Sequence, residues 1–223
     1  MSATVPPQYR AGAGVGASPG DARPAAGHGA ASSDATGAES GGPSRTAAAA
    51  GHGPPAGERP AVAGHYEVFV SKDSFKFNAA HFIAYPGFRE RLHGHNYRVS
   101  VRLEGPVGGD GYVVDFGEIK RAATAVCRQL NERVIVPMQS DVLAIERDGG
   151  QVILVCEDGA RFSFPEDDCA LLEIRHSSAE ELAAFICLRL RAELPLLAQR
   201  GVAWLQVGVA EAPNQEARYR IDL

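Results

Sequence analysis

No apolar run in the 223 residues approaches the roughly 20 needed to cross a bilayer, so no membrane partner is expected. The opening Met1-Ser2-Ala3-Thr4-Val5-Pro6-Pro7 lacks the charged-then-apolar order of a secretory leader, and a soluble, cytoplasmic protein is expected. There is no basic stripe either. The net charge is −5, which argues against a nucleic-acid partner, because nothing is available to neutralise a run of phosphates. The four cysteines, Cys127, Cys156, Cys169 and Cys187, form no CxxC pair and do not suggest a cysteine metal site. Cys127 and Cys187 fall among apolar neighbours in helical patterns, and all four read as buried free thiols.

Residues 1–63 lack apolar periodicity altogether. They are built almost wholly from Ala, Gly, Pro, Ser and Thr, as in Ala47-Ala48-Ala49-Ala50 and Gly51-His52-Gly53-Pro54-Pro55. Too little apolar surface is present to offset an ordering cost of about 1–2 kcal/mol per backbone residue. A disordered low-complexity tail is expected there, and one domain over 64–223.

Composition changes at His65-Tyr66-Glu67-Val68-Phe69-Val70. Phe75, Phe77, Ala79 and His81 share one parity, so an extended chain points them to one side. His95, Tyr97, Val99, Val101 and Leu103 then alternate with polar residues, the mark of a half-buried antiparallel strand. A helix is predicted after the capping pair Asp115 and Glu118, with Ile119, Ala122, Ala123, Val126 and Leu130 at helical spacing. A hairpin follows at Gln151–Cys156 and 160–164, turning at Asp158-Gly159. A second helix starts at Ser178 with Glu181 and stops before Pro195. Two closing strands run over 203–211 and 218–221. Strands first and last with two helices grouped on one face predict an α+β domain.

His93-Gly94-His95 carries most of the chemistry. Histidines at i and i+2 of a strand project from the same face, and Gly94 leaves their approach unobstructed. If the two strands pair as a hairpin, His81 joins them. Three neutral imidazoles leave one position of a tetrahedral zinc open for water or substrate, which points to catalysis. Imidazole alone does not separate zinc from iron, nickel or copper, and a single histidine on such a face is ordinarily a hydrogen-bonded core residue.

Phe77-Asn78-Ala79-Ala80-His81, with Leu92-His93-Gly94-His95-Asn96-Tyr97, closely resembles the 6-pyruvoyl- and 6-carboxy-tetrahydropterin synthase family. Val113-Val114-Asp115-Phe116-Gly117-Glu118-Ile119-Lys120, Ser178-Ala179-Glu180-Glu181-Leu182-Ala183 and Val209-Ala210-Glu211 extend the likeness over roughly 66–220. The resemblance implies a tunnelling fold (T-fold): a four-stranded antiparallel sheet with two helices, here with an extra hairpin between them, oligomerising into a barrel as a homo-hexamer. It implies Zn2+ held by His81, His93 and His95, and a 7,8-dihydroneopterin triphosphate type of substrate on the way to biopterin, folate or queuosine. It also implies a pterin-anchoring role for Glu211. Parity supports that role separately, since a carboxylate on an otherwise apolar face needs a partner; a rim salt bridge is the alternative.

Two departures from the family pattern matter. Members carry a catalytic cysteine shortly before HGH, whereas Tyr85-Pro86-Gly87-Phe88-Arg89-Glu90-Arg91-Leu92 holds none. Related sequences use a glutamate instead and are associated with cleaving the side chain to 6-hydroxymethyl-dihydropterin. Glu90 is the candidate base here, its alternative being a solvated charge between two arginines. Members also carry an Asp-His pair where this chain has Leu130-Asn131-Glu132-Arg133. Proton transfer must then use other groups, with Glu132 and His176 as candidates, although His176 is as well suited to capping the second helix. The expected activity is a zinc-dependent lyase giving 6-hydroxymethyl-dihydropterin or a 6-pyruvoyl or 6-carboxy tetrahydropterin. Two rivals are a catalytically silent module binding metal and pterin, and a metallohydrolase acting on something else.

Overall fold

The structure, a computed structural model, describes residues 64–223. The expectation of a disordered tail over 1–63 lies outside the described residues. The chain opens with β1 (His65–His81), two short strands β2 (Ala84–Tyr85) and β3 (Phe88–Arg89), and β4 (His93–Pro106). Helix α1 (Phe116–Leu130) leads to β5 (Arg133–Pro137), β6 (Leu143–Asp148), β7 (Gln151–Cys156), β8 (Arg161–Pro165) and β9 (Cys169–Leu172). Helix α2 (Ala179–Glu193), the single turn α3 (Leu196–Gln199), β10 (Trp204–Ala212) and β11 (Gln215–Asp222) complete it.

The main sheet has six strands in the order β11-β10-β4-β1-β5-β9, not the four expected. Four of them, β11, β10, β4 and β1, each run antiparallel to their neighbours in this group, as expected. The additions β5 and β9 run parallel to β1 and to each other. Their segments, Arg133-Val134-Ile135-Val136-Pro137 and Cys169-Ala170-Leu171-Leu172, are short continuous apolar runs. Such runs fit strands buried on both faces but carry no period to announce them. Ile135, Ala170 and Leu172 belong to the main core, whereas Val134, Val136, Cys169 and Leu171 turn to a second one.

The hairpin expected between the helices is also larger than a hairpin. β6, β7 and β8 form an antiparallel three-stranded sheet, with a turn at Asp158-Gly159 where Gly159 has φ +81°. That is the left-handed region glycine enters without strain. Val152, Leu154 and Cys156 pack there with Phe82, Ala84 and Val136 as the second core.

β1 bends in a way parity alone does not show. Ser71 pairs with Ser100 and Lys76 with Arg98, so five steps on β1 face two on β4. The bulge exchanges the inward parity: Val70 is buried before it, and Phe75, Phe77, Ala79 and His81 after it. The inner face of β1, β4 and β10 then packs on α1 and α2 through Phe77, Tyr97, Leu103, Ile119, Val126, Leu182, Ile186 and Leu205. Asp115 caps α1 by accepting from the Gly117 amide (2.7 Å), and Ser178 caps α2 by accepting from Glu181 (3.4 Å). Neither glutamate closes a reciprocal box. Glu118 pairs with Arg121, and Glu181 accepts from the Arg175 amide.

All four cysteines are free and buried. Burial pushes the Cys127 and Cys187 thiols up to about 12, which keeps them protonated and unreactive.

Candidate metal centre

Register brings the imidazoles together. His81 lies directly opposite His93 at the end of the β1–β4 pair closed by the 82–92 connection, and Ala79 lies opposite His95. All three residues share the inward parity. A Cβ added at Gly94 would sit 3.1 Å from the Ala79 carbonyl oxygen, so the residue between the histidines is small where the strands approach closely. The ring centroids are 4.6 Å (His81–His93), 5.2 Å (His81–His95) and 4.9 Å (His93–His95) apart.

The backbone sets the tautomers. His81 Nδ1 donates to the Ser177 carbonyl at 2.7 Å, and His93 Nδ1 donates to the Arg91 carbonyl at 2.8 Å. Each bond leaves Nε2 with its lone pair free, the arrangement found behind metal-bound histidines. His81 is 1% exposed, and its Nε2 is buried with no hydrogen-bond partner. An unpaired buried polar atom costs about 1–3 kcal/mol, so it calls for a ligand. Burial pushes the His81 imidazole below the ordinary histidine range; the Ser177 carbonyl opposes this and the neighbouring His93 adds to it. One ligand atom from each ring lies within 4.8 Å of the others, a bound that admits the ~3.4 Å spacing of a tetrahedral donor set with 2.0–2.1 Å bonds. Three imidazoles, two of them with Nε2 freed by a backbone bond, fit a zinc ion on donor chemistry.

One carboxylate stands beside the cluster, and a second is tied to the segment that follows His81. The inward parity of β10 delivers Glu211 next to the cluster: its Oε2 is 3.9 Å from His95 Nε2, and Tyr97 donates its hydroxyl proton to Oε1 at 3.5 Å. Burial, chiefly, and the charge of Glu211 push the Tyr97 phenol up, so it stays a donor. Glu90 sits on the loop that leads from β3 back to β4. Its amide donates to the Ile83 carbonyl (2.9 Å) and its Oε2 accepts from the Ile83 amide (3.0 Å), which ties it two residues beyond His81.

The other candidates lie further out. His176 donates from Nδ1 to the Ala84 carbonyl at 3.1 Å, joining the segment before α2 to the loop of Glu90 rather than capping the helix. Glu132 occupies the α1–β5 turn at φ +59°, exposed, its amide bonded to the Asn78 carbonyl. It shares a cleft with the edge of His95 and with Asn78, Ala80 and Asn96, the last three of the parity opposite to the imidazoles. Sequence reasoning missed Ser177, whose carbonyl orients His81 and whose hydroxyl donates to the Phe82 carbonyl at 2.8 Å. It also missed Tyr97 as a partner of Glu211. The inward parity of Tyr97 was visible; the contribution of a backbone carbonyl some ninety residues away was not.

Comparison with known proteins agrees with this geometry. The family model for 6-pyruvoyl tetrahydropterin synthase matches residues 70–222. The structure of 6-pyruvoyl tetrahydropterin synthase from Plasmodium vivax is 45% identical with a TM-score of 0.70, covering 72% of this chain and 99% of that one. Variants of the P. vivax protein are described as changing a catalytic glutamate to alanine or to cysteine. The Plasmodium falciparum enzyme of the same name is 44% identical with a TM-score of 0.69, over 71% and 99% of the two chains. A Methanocaldococcus jannaschii protein named as a candidate 6-carboxy-5,6,7,8-tetrahydropterin synthase is 30% identical over 147 residues, 65% of this chain and 89% of its own. Matched by that family model over residues 70–222, more than half of its length, this chain belongs to the 6-pyruvoyl tetrahydropterin synthase family.

Proposed function

We propose that this protein is a zinc-dependent lyase acting on 7,8-dihydroneopterin triphosphate, with Glu90 as its base and 6-hydroxymethyl-dihydropterin as its favoured product. The observation that carries the reading is the buried, unpaired Nε2 of His81 beside two further imidazoles. His81, His93 and His95 would hold the metal and Glu211 the pterin ring, whose amino and ring N–H groups match a carboxylate. A zinc ion there would polarise the substrate's side-chain oxygens and make a hydroxyl more acidic.

The chain's own groups would do the rest. Glu90, held by the Ile83 amide, takes the proton from a side-chain hydroxyl. The adjacent carbon–carbon bond breaks as that oxygen becomes a carbonyl, and the carbon left on the ring takes up a proton. His176, bonded to the Ala84 carbonyl on the Glu90 loop, is better placed than Glu132 to assist that return. The catalytic glutamate described for the P. vivax relative supports a carboxylate in the role that other members give to cysteine. A homo-hexameric barrel would complete the site.

The test is incubation of zinc-loaded protein with dihydroneopterin triphosphate, products being identified by mass spectrometry. 6-Hydroxymethyl-dihydropterin is expected, and Glu90→Gln should abolish its formation while zinc stays bound. A 6-pyruvoyl or 6-carboxy product would move the base role away from Glu90. No zinc-dependent turnover at all would leave the silent pterin-binding module.

A further inference from the structure

No step of that reaction uses the β6–β8 sheet, yet its β7–β8 turn reaches the loop that carries Glu90. The Gly87 amide donates to Glu157 Oε2 at 3.0 Å. Arg89 donates from Nε (3.0 Å) and Nη2 (2.9 Å) to Asp158 Oδ2, and its guanidinium lies 5.5 Å from the centroid of Phe162 on β8. The third donor of Arg89, Nη1, goes to the Glu90 carbonyl at 2.9 Å. On the far side, Asp158 Oδ1 accepts from the Ala160 amide at 3.0 Å, which fixes the carboxylate within its own turn. One continuous chain of bonds therefore runs from the β7–β8 turn to the backbone of Glu90.

Packing reaches the foot of the loop, where Phe82 and Ala84 join the second core, and the bonds act beyond it. Between loop and turn lies a cavity of about 410 Å³, lined by Ala84, Tyr85, Phe88, Val142 and Cys156. Exposed ion pairs add little to global stability. What they can do is select one loop position among several of similar energy, and a displacement of about 1 Å in a catalytic group can cost roughly a hundredfold in rate.

We propose that the inserted sheet is a positioning device, with Asp158 and Glu157 holding the 84–90 loop through Arg89 and Gly87 so that the Glu90 carboxylate meets the substrate. This rests on the assignment of Glu90 as the base. Neither acidic residue touches the reacting atoms; both act through the loop.

Asp158→Ala in the zinc-loaded full chain should lower kcat roughly tenfold while KM stays within about twofold. Its zinc content and melting temperature should match the parent, and Asp158→Glu should recover most of kcat. Hydrogen exchange should quicken in the peptide spanning 84–90 and stay unchanged in β10. If kcat and exchange in that peptide are both unaltered, or if zinc and melting temperature fall with them, the positioning role is overturned. Glu90→Gln separates the two claims. An inactive Glu90→Gln beside a fully active Asp158→Ala removes the clamp alone, and a fully active Glu90→Gln removes base and clamp together.

Discussion

His81 is the residue on which the candidate metal centre turns, because it is the one imidazole of the three that the fold has dried out. Its unpaired Nε2 is a penalty that a bound cation removes, so zinc should raise the melting temperature and chelation should lower it. His81→Ala and His93→Ala should both abolish stoichiometric zinc in metal analysis of the purified protein. The same burial fixes a pH dependence. The folded imidazole has its pKa depressed below the ordinary 6.5, so in acid the unfolded chain takes up a proton that the folded one resists. Stability of the metal-free protein is then fully present above about pH 6.5 and drains away as pH falls through the lower folded value. Thermal melts of chelated protein between about pH 7 and pH 5 should show this loss, and His81→Asn should flatten it. An equal slope in both proteins would remove His81 as its source. For Glu211 the expected loss is different in kind. Glu211→Ala should release a plain pterin in a fluorescence titration while zinc remains. Tyr97→Phe, which removes only the donor to Oε1, should weaken binding by about 0.5–1.5 kcal/mol.

At the scale of elements, the parts legible in sequence were those with a period. β4 and β10 alternate cleanly, and α1 repeats at helical spacing, so their faces were readable and with them His93, His95 and Glu211. β1 was readable only past its bulge, because the inward parity before residue 71 is the opposite of that after 75. β5 and β9 were not readable at all: both are buried on two faces, and a run without alternation does not distinguish sheet from helix. The site followed the same rule. Side chains placed by strand parity came out of the sequence, whereas the Ser177 carbonyl and the loop that holds Glu90 depend on contacts across the fold. The β6–β8 sheet has a core of its own, and Leu154 is fully buried in it. Leu154→Ala should cost about 2–5 kcal/mol in urea unfolding. A change under about 0.5 kcal/mol would mean that this sheet does not share in the cooperative unit.

At the scale of the molecule, the open question is what covers the sheet's other side. The helices occupy one face only, and the opposite face carries Arg98, Arg102, Arg218 and Arg220 with Glu67, Glu104 and Glu216. Several of these pair among themselves, as Arg102 with Glu67 and Arg218 with Glu216. A face so charged suits water or a wet interior, and its aromatic residues Phe69 and Trp204 lie under the guanidinium groups of Arg102 and Arg220. The sheet also ends at β11, an eight-residue outer strand whose far side has no neighbouring strand among the described residues. A long outer strand left open invites pairing with another chain, and closing sheets into a barrel removes such edges altogether. A charged face and an open terminal strand together favour assembly of several copies edge to edge, and in the barrel proposed above the arginines and glutamates would line the lumen. For the homo-hexamer proposed above, light scattering should give six times the 23.5 kDa chain mass. A monomer at working concentration would dispose of the barrel.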